Sequence, residues 1–260
     1  MAIHESRTKT GISWVTESLN LFKTAPRNWL LLALAYVTLF MMIPSIGGLE
    51  FLAFFSILIW PVFLAIAITL YRNADMKKQQ KLSETFNNIK PKMLTLMALG
   101  GACLLYGALI SFMLNSDLQG LAALAQNKTS MSESQMMTLL QKMFPVLLKM
   151  ILLLIPLMMA TWFAPMLIAF NNYTLVKAIK SSVAGSLQYL IALGTAWLLL
   201  TIGIMLLMMG VGVVAGLISS MVPMLGQMLM SLVVFGCLLL ATALMLAFQY
   251  VSYRDVFRAA

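Results

Sequence analysis

The side chains that usually carry out proton transfer, nucleophilic attack or metal ligation are few in this chain and far apart. His4 is the only histidine and lies near the N-terminus, so the body of the chain has no base for a Ser–His–acid triad. A histidine-rich zinc site cannot be built, and Cys103 and Cys237 are distant in sequence. Glu50, Asp117 and Glu133 fall on different segments, which leaves no carboxylate pair suited to general acid–base work. No Gly-x-x-x-x-Gly-Lys loop is present to cradle phosphate. These features point away from an enzyme, and no cofactor is expected. Methionine is abundant, with 23 residues, and Met221, Met224, Met228 and Met230, like Met131, Met136, Met137 and Met143, fall close together. Thioethers bind Cu(I). Methionine is also an adaptable apolar filler and recurs throughout the apolar runs here, so no tight metal site is expected.

What remains is electrostatic and steric. Arg72, Lys77, Lys78, Lys81, Lys90 and Lys92 crowd one stretch, against only Asp75 and Glu84. Near an anionic leaflet each such cation is worth about 1 kcal/mol. The cluster can hold anionic lipid head groups, dock an acidic partner, or do no more than orient the chain in a membrane. Gly212 and Gly216 form a Gly-x-x-x-Gly motif, which lets helix backbones approach closely. Packing within the chain is expected there rather than a dimer.

The elements that carry these residues follow from composition. Hydrophobic residues make up 62% of the 260 and charged residues 10%, whereas soluble domains have about 45–50% and about 25%. The chain is an integral membrane protein. Its net charge of +9 would suggest nucleic acid in a soluble domain. Here the basic residues sit beside apolar runs without interleaved aromatics, so no nucleic-acid partner is expected. Six runs are long enough to span: Trp29–Ile46, Phe51–Tyr71, Met93–Leu114, Phe144–Phe170, Leu187–Leu217 and Met228–Tyr250. Residues 1–28 hold Glu5, Arg7, Lys9, Glu17, Lys23 and Arg27, too polar for a cleaved signal peptide, so the first span is expected to remain as an anchor. Both cysteines lie inside apolar runs, which implies no disulfide framework. With the N-terminus in the cytoplasm, 14 of the 17 basic residues fall inside, and only Lys128, Lys142 and Lys149 fall outside. The positive-inside rule therefore puts both termini in the cytoplasm. No ionisable residue lies at mid-span, since Glu50 and Lys149 sit near edges. That argues against a proton-coupled carrier or voltage sensor and leaves room for a lipid-like substrate.

Each odd-numbered span follows a short amphipathic stretch. Ile12, Val15, Leu19 and Phe22 precede the first, with Trp14 as an interfacial anchor; Leu82, Phe86 and Ile89 precede the third; Leu175, Ile179 and Val183 precede the fifth. Spacings of three and four put each set on one helical stripe, suited to the membrane interface. The expected architecture is all-α: one membrane domain over 1–260, a polytopic bundle of six spans in three units of interfacial helix plus hairpin. In it 1–28 is an amphipathic N-terminus, 29–71 the first hairpin and 72–92 the basic loop. The second hairpin covers 93–170 with an outer insertion at 115–143, where a capping-box sequence at Ser132–Gln135 starts a helix lying on the outer face. Residues 171–186 form the third amphipathic segment, 187–250 the third hairpin and 251–260 a tail. Pro61, Pro156 and Pro165 can kink their helices.

The pattern Trp14…Leu19…Leu21-Phe22-Lys23…Pro26…Trp29, followed by paired spans, resembles uncharacterised six-span inner-membrane proteins of proteobacteria, families grouped as domains of unknown function. In layout it is also remotely similar to the membrane portion attached to some glycerophosphodiester phosphodiesterases. The likeness implies a bacterial inner-membrane location and no established activity. No stretch here can hold the phosphodiesterase catalytic domain. The expected role is a non-enzymatic scaffold, assembly partner or lipid-contact factor of the envelope, touching anionic lipid and an unidentified membrane-protein partner. The alternative is a transporter or flippase-like protein for an apolar or lipid-linked substrate.

Overall fold

The computed structural model describes residues 2–49, 51–78, 81–125 and 133–257, and every element in them is helical. In chain order these are α1 (Ala2–Thr24), α2 (Pro26–Val37), α3 (Leu52–Asp75), α4 (Leu82–Ile89), α5 (Met93–Ala125), α6 (Glu133–Trp162), α7 (Ala164–Asn171), α8 (Leu175–Gln188), α9 (Leu190–Met221) and α10 (Pro223–Phe257). A π turn and a 3₁₀ turn carry α2 on to Ser45. Six segments are long and apolar enough to cross a membrane: Pro26–Ser45, Leu52–Asp75, Leu82–Leu121, Leu140–Asn171, Leu190–Met221 and Met224–Phe257. The chain is an all-α polytopic bundle. Helices α4 and α8 are each shorter than the two long helices that follow them, whereas α1, at 23 residues, is longer than the 12-residue α2.

The structure moves several boundaries. α5 does not stop at Leu114 but continues to Ala125, and α6 begins at Glu133. The stretch read as an outer insertion is therefore largely an extension of the second hairpin, and residues 133–143 are the first turns of α6 rather than a separate surface helix. The 33 residues of α5 span about 50 Å at 1.5 Å each, more than the ~30 Å hydrocarbon core needs. Lys149 of α6 pairs with Asp117 of α5 at 2.7 Å and ties the two extensions together. Ser132 of the capping-box sequence lies outside the described residues. The tail is also shorter than expected, because α10 runs through residues 251–257.

The fourth span is broken. Pro165 starts α7 instead of kinking a continuous helix, whereas Pro61, Pro145 and Pro156 sit inside theirs. A break exposes backbone groups that membrane interiors cannot hydrate. Ser182 of α8 takes two of them: its Oγ donates to the Met159 carbonyl at 2.7 Å and accepts the Phe163 N–H at 2.9 Å. The side-chain amide of Gln249 on α10 donates to the Trp162 carbonyl at 2.7 Å.

The short helices bury their apolar stripes only in part. On α1 the buried residues are Gly11, Trp14, Ser18 and Leu21, while Ile12 and Leu19 are exposed. Trp14 is fully buried between Tyr189 and Phe248, not an anchor at the protein surface. On α4 Thr85 and Ile89 are buried while Leu82 and Phe86 are exposed; on α8 the buried set is Ala178, Ser182, Gly185 and Ser186. Small and hydroxyl-bearing residues share the buried contacts with Trp14, Leu21 and Ile89, while Val15, Phe22, Leu175 and Ile179 of the stripes pack partly against the core.

The tight crossings are made by other glycines than the Gly-x-x-x-Gly pair. A Cβ on Gly100 would lie 2.5 Å from the Leu58 carbonyl oxygen, and one on Gly11 would lie 2.6 Å from that of Ala192. At Gly216 it would meet nothing within 4 Å, and at Gly212 only the tip of Met230 at 3.8 Å. Gly100 seats α5 on α3, and Gly11 seats α1 on α9. Gly100→Val should therefore cost about 3 kcal/mol or more, the upper end for overpacking, while Gly216→Val should stay within about 0.5 kcal/mol of the parent. Thermal unfolding of the two variants in detergent checks this. Equal melting temperatures would mean that α5 does not need close approach to α3.

Candidate functional site

One end of the bundle gathers the charged groups. There Arg254 of α10 contacts Asp75 of α3 at 2.9 Å, the Glu17 carboxylate of α1, and its neighbour Asp255. Tyr250 donates to the same Asp75 at 2.7 Å, and the Trp14 indole N–H donates to Asp255 at 2.8 Å. Trp29 stacks on Tyr71 with ring centroids 4.0 Å apart and donates to the Leu21 carbonyl, while Tyr71 donates to that of Ala243. These contacts link α1, α2, α3 and α10.

The six basic residues from Arg72 to Lys92 divide in two. Arg72 lies over the Phe170 ring, 4.9 Å from its centroid, and the Lys92 ammonium donates to the Ala169 carbonyl. Both therefore secure the last turn of α7, where cations also oppose the helix dipole. Lys77, Lys78, Lys81 and Lys90 are exposed. Their geometry is set by the end of α3. The Lys78 N–H bonds to the Asn73 carbonyl at 2.8 Å and the Lys77 N–H to that of Ala74 at 3.1 Å, a Schellman pattern. Its left-handed position, usually glycine, is filled by Lys77 at φ 54°.

This turn brings Lys78 and Lys81 to a cleft of about 570 Å³ between α2, α3 and the start of α4. Asn28, Trp29 and Leu32 line it from α2, Leu70 and Asn73 from α3, and Leu82 from α4. Cations and amides thus share one cavity with apolar walls, which is the chemistry of an anionic head group with its chains. Lys77 and Lys90 do not line it. Asn28 and Asn73 went unnoticed in the sequence, because a polar residue at the edge of a span looks like an ordinary boundary. Only the pairing of α2 with α3 puts them opposite the lysines.

Two further cavities lie along the spans. A lateral groove of about 200 Å³ runs between α6, α8 and α9, lined by Ile155, Met158, Trp162, Leu193 and Trp197 among others. It exists because α6 packs on α5 and α8 and stands off the rest, with no residue of its most apolar stretch buried. A central cavity of about 290 Å³ lies between α2, α3, α6 and α10, and Trp162 lines it too. No group of three or more His, Cys, Asp or Glu side chains able to hold a metal ion occurs among the described residues. Met221, Met224, Met228 and Met230 are exposed around the α9–α10 turn.

Fold and cavities together define a multi-pass helical membrane protein with a basic cleft at one end and apolar spaces between its spans. No family model matches the chain, and no curated protein or solved structure shows significant similarity to it.

The ion cluster makes a testable demand on α1. Charged hydrogen bonds are worth about 1.5–3 kcal/mol, and solvent screening at this partly exposed site reduces that to roughly 1–2 kcal/mol. Arg254→Gln should therefore speed tryptic cleavage at Lys23 and Arg27 by about tenfold, since cutting follows the population of undocked helix. Unchanged cleavage would show that α1 is held by Trp14 and Gly11 alone.

Proposed function

We propose that the protein is a non-enzymatic, lipid-contacting component of the bacterial inner membrane that binds anionic lipid at its cytoplasmic face and serves as a scaffold or assembly partner there. The observation that carries this reading is the cleft, in which Lys78 and Lys81 face Asn28 and Asn73 over apolar walls. Two cations near an anionic leaflet supply about 2 kcal/mol, and the apolar walls suit acyl chains. The exposed stripes of α1 and α4, with Ile12 at 48% and Leu82 at 62% exposure, suit helices that meet the membrane interface at the same end. The resemblance of the N-terminal motif to six-span proteobacterial families implies the same location.

The cleft is tested by lipid analysis of purified protein. The double variant Lys78→Gln, Lys81→Gln should lower co-purified phosphatidylglycerol and cardiolipin at least threefold. Lys77→Gly should leave them unchanged and raise stability by about 1 kcal/mol, because glycine accepts the left-handed turn. Equal lipid in the double variant and the parent would remove the cleft from the proposal.

Orientation follows from the charge distribution, with both termini cytoplasmic. Alkaline phosphatase fused after Gln126 should be active, and fused at the C-terminus inactive. Activity at the C-terminus would reverse the topology and place the cleft on the periplasmic leaflet.

The lateral groove between α6 and α9 favours a second reading, a transporter or flippase-like protein for an apolar or lipid-linked substrate. An opening toward the bilayer is what such a substrate needs, and no charged residue lines the groove.

A further inference from the structure

Tyr36, Thr242 and Gln249, which neither the basic cleft nor the ion cluster uses, line the central cavity. None of its lining residues is charged. Gln249 is only 8% exposed. Its amide nitrogen is taken by the Trp162 carbonyl, and its carboxamide oxygen accepts no hydrogen bond among the described residues. Tyr36 accepts the Trp60 indole N–H at 3.1 Å and gives its own hydroxyl proton to no group among them. Thr242 spends its hydroxyl proton on the Leu238 carbonyl, so the cavity presents the Tyr36 hydroxyl as donor and the Gln249 and Thr242 oxygens as acceptors, in a place where unpaired polar groups are costly. Tyr36, Trp60 and Trp162 surround them with aromatic surface, which favours a flat π-system.

The neighbouring lateral groove is apolar. Trp162 is a shared wall of the central cavity and the lateral groove, and Ser186 is the groove's only polar side chain besides its two tryptophans. A Cβ on Gly194, in the groove wall, would meet nothing within 4 Å, so the space beside it is open.

We propose that the central cavity binds the uncharged, carbonyl-bearing ring of a lipid-soluble amphiphile of the quinone class, whose apolar tail leaves past Trp162 along the groove between α6 and α9. A ring carbonyl accepts from Tyr36, and a ring hydroxyl of the reduced form donates to Gln249. The lack of any cation in the wall rejects a phosphate head group, and about 290 Å³ admits a single ring but not a sugar-bearing head. The site is separate from the anionic-lipid cleft, so either can fail without the other.

The test is scintillation-proximity binding of a tritiated decyl-benzoquinone to the full chain in phosphatidylcholine nanodiscs. Saturable binding is expected, displaced by unlabelled quinone and not by dioleoylglycerol, which is also uncharged and carbonyl-bearing but has no ring. Tyr36→Phe should weaken it about 3- to 10-fold, the value of one neutral hydrogen bond. Gly194→Leu, at a position where a Cβ meets nothing within 4 Å, should narrow the groove, weaken the decyl compound and spare a tail-less benzoquinone used as competitor. Should Tyr36→Phe lower the melting temperature, Gly194→Leu decides alone. Non-saturable uptake, equal displacement by dioleoylglycerol, or parental affinity in Gly194→Leu would each overturn the assignment.

Discussion

Arg254 is the constraint around which one end of this molecule is organised. Its guanidinium meets carboxylates from α1, α3 and its own helix. A guanidinium keeps its charge under all ordinary conditions and presents several donors in a fixed plane. It can therefore hold Glu17 and Asp75 at once, which a lysine could not do with the same geometry. Around that point Trp14, Trp29, Tyr71 and Tyr250 pack with their polar atoms paired. The basic cleft depends on the arrangement: its walls are α2 and α3, and α3 is fixed by Asp75 at the turn that presents Lys78.

A second constraint is the interrupted fourth span. The break at Phe163 would be expensive in lipid if its backbone groups stayed unpaired. Ser182 and Gln249 supply the partners from two other helices, so α6, α8 and α10 meet at one place. The same junction sets the position of Trp162 and with it the boundary between the groove and the central cavity. A helix otherwise free of buried residues is thus tied in at one end, while its remaining length stays open toward the bilayer.

Much of this architecture was readable from residue order alone, and the reasons differ by feature. Spans declare themselves because twenty apolar residues in a row have few other uses. Charge near their ends carries an expected orientation by a separate rule, the excess of Lys and Arg on the cytoplasmic side. Pairings across the chain do not declare themselves. Nothing local to Glu17 or Asp75 marks them as partners of Arg254, which is 237 residues from the first. Trp14 carried the pattern of an interfacial anchor, yet Gly11 and Ser18 beside it form the face that packs. Small residues were sought in Gly212 and Gly216, where the motif is regular, and the close approaches of α5 to α3 and of α1 to α9 fall at Gly100 and Gly11, outside any Gly-x-x-x-Gly motif. In the basic loop the count of cations was visible. Its division was not, since Arg72 and Lys92 serve α7, an element that exists only because Pro165 restarts the helix.

The reach of Arg254 also bears on how the chain is assembled during synthesis. α1 is made first and α3 soon after, yet the group that clamps them arrives only when α10 has been translated. Until then Glu17 and Asp75 lack the cation that joins them, and Trp14 lacks Tyr189 and Phe248, between which it is buried. The first helix must wait at the membrane surface, apolar stripe against the lipid, while the second and third hairpins insert. Docking of α1 is thus a late, chain-closing event, and truncation within α10 ahead of Arg254 would leave a protein whose first five spans are complete but whose basic end never locks.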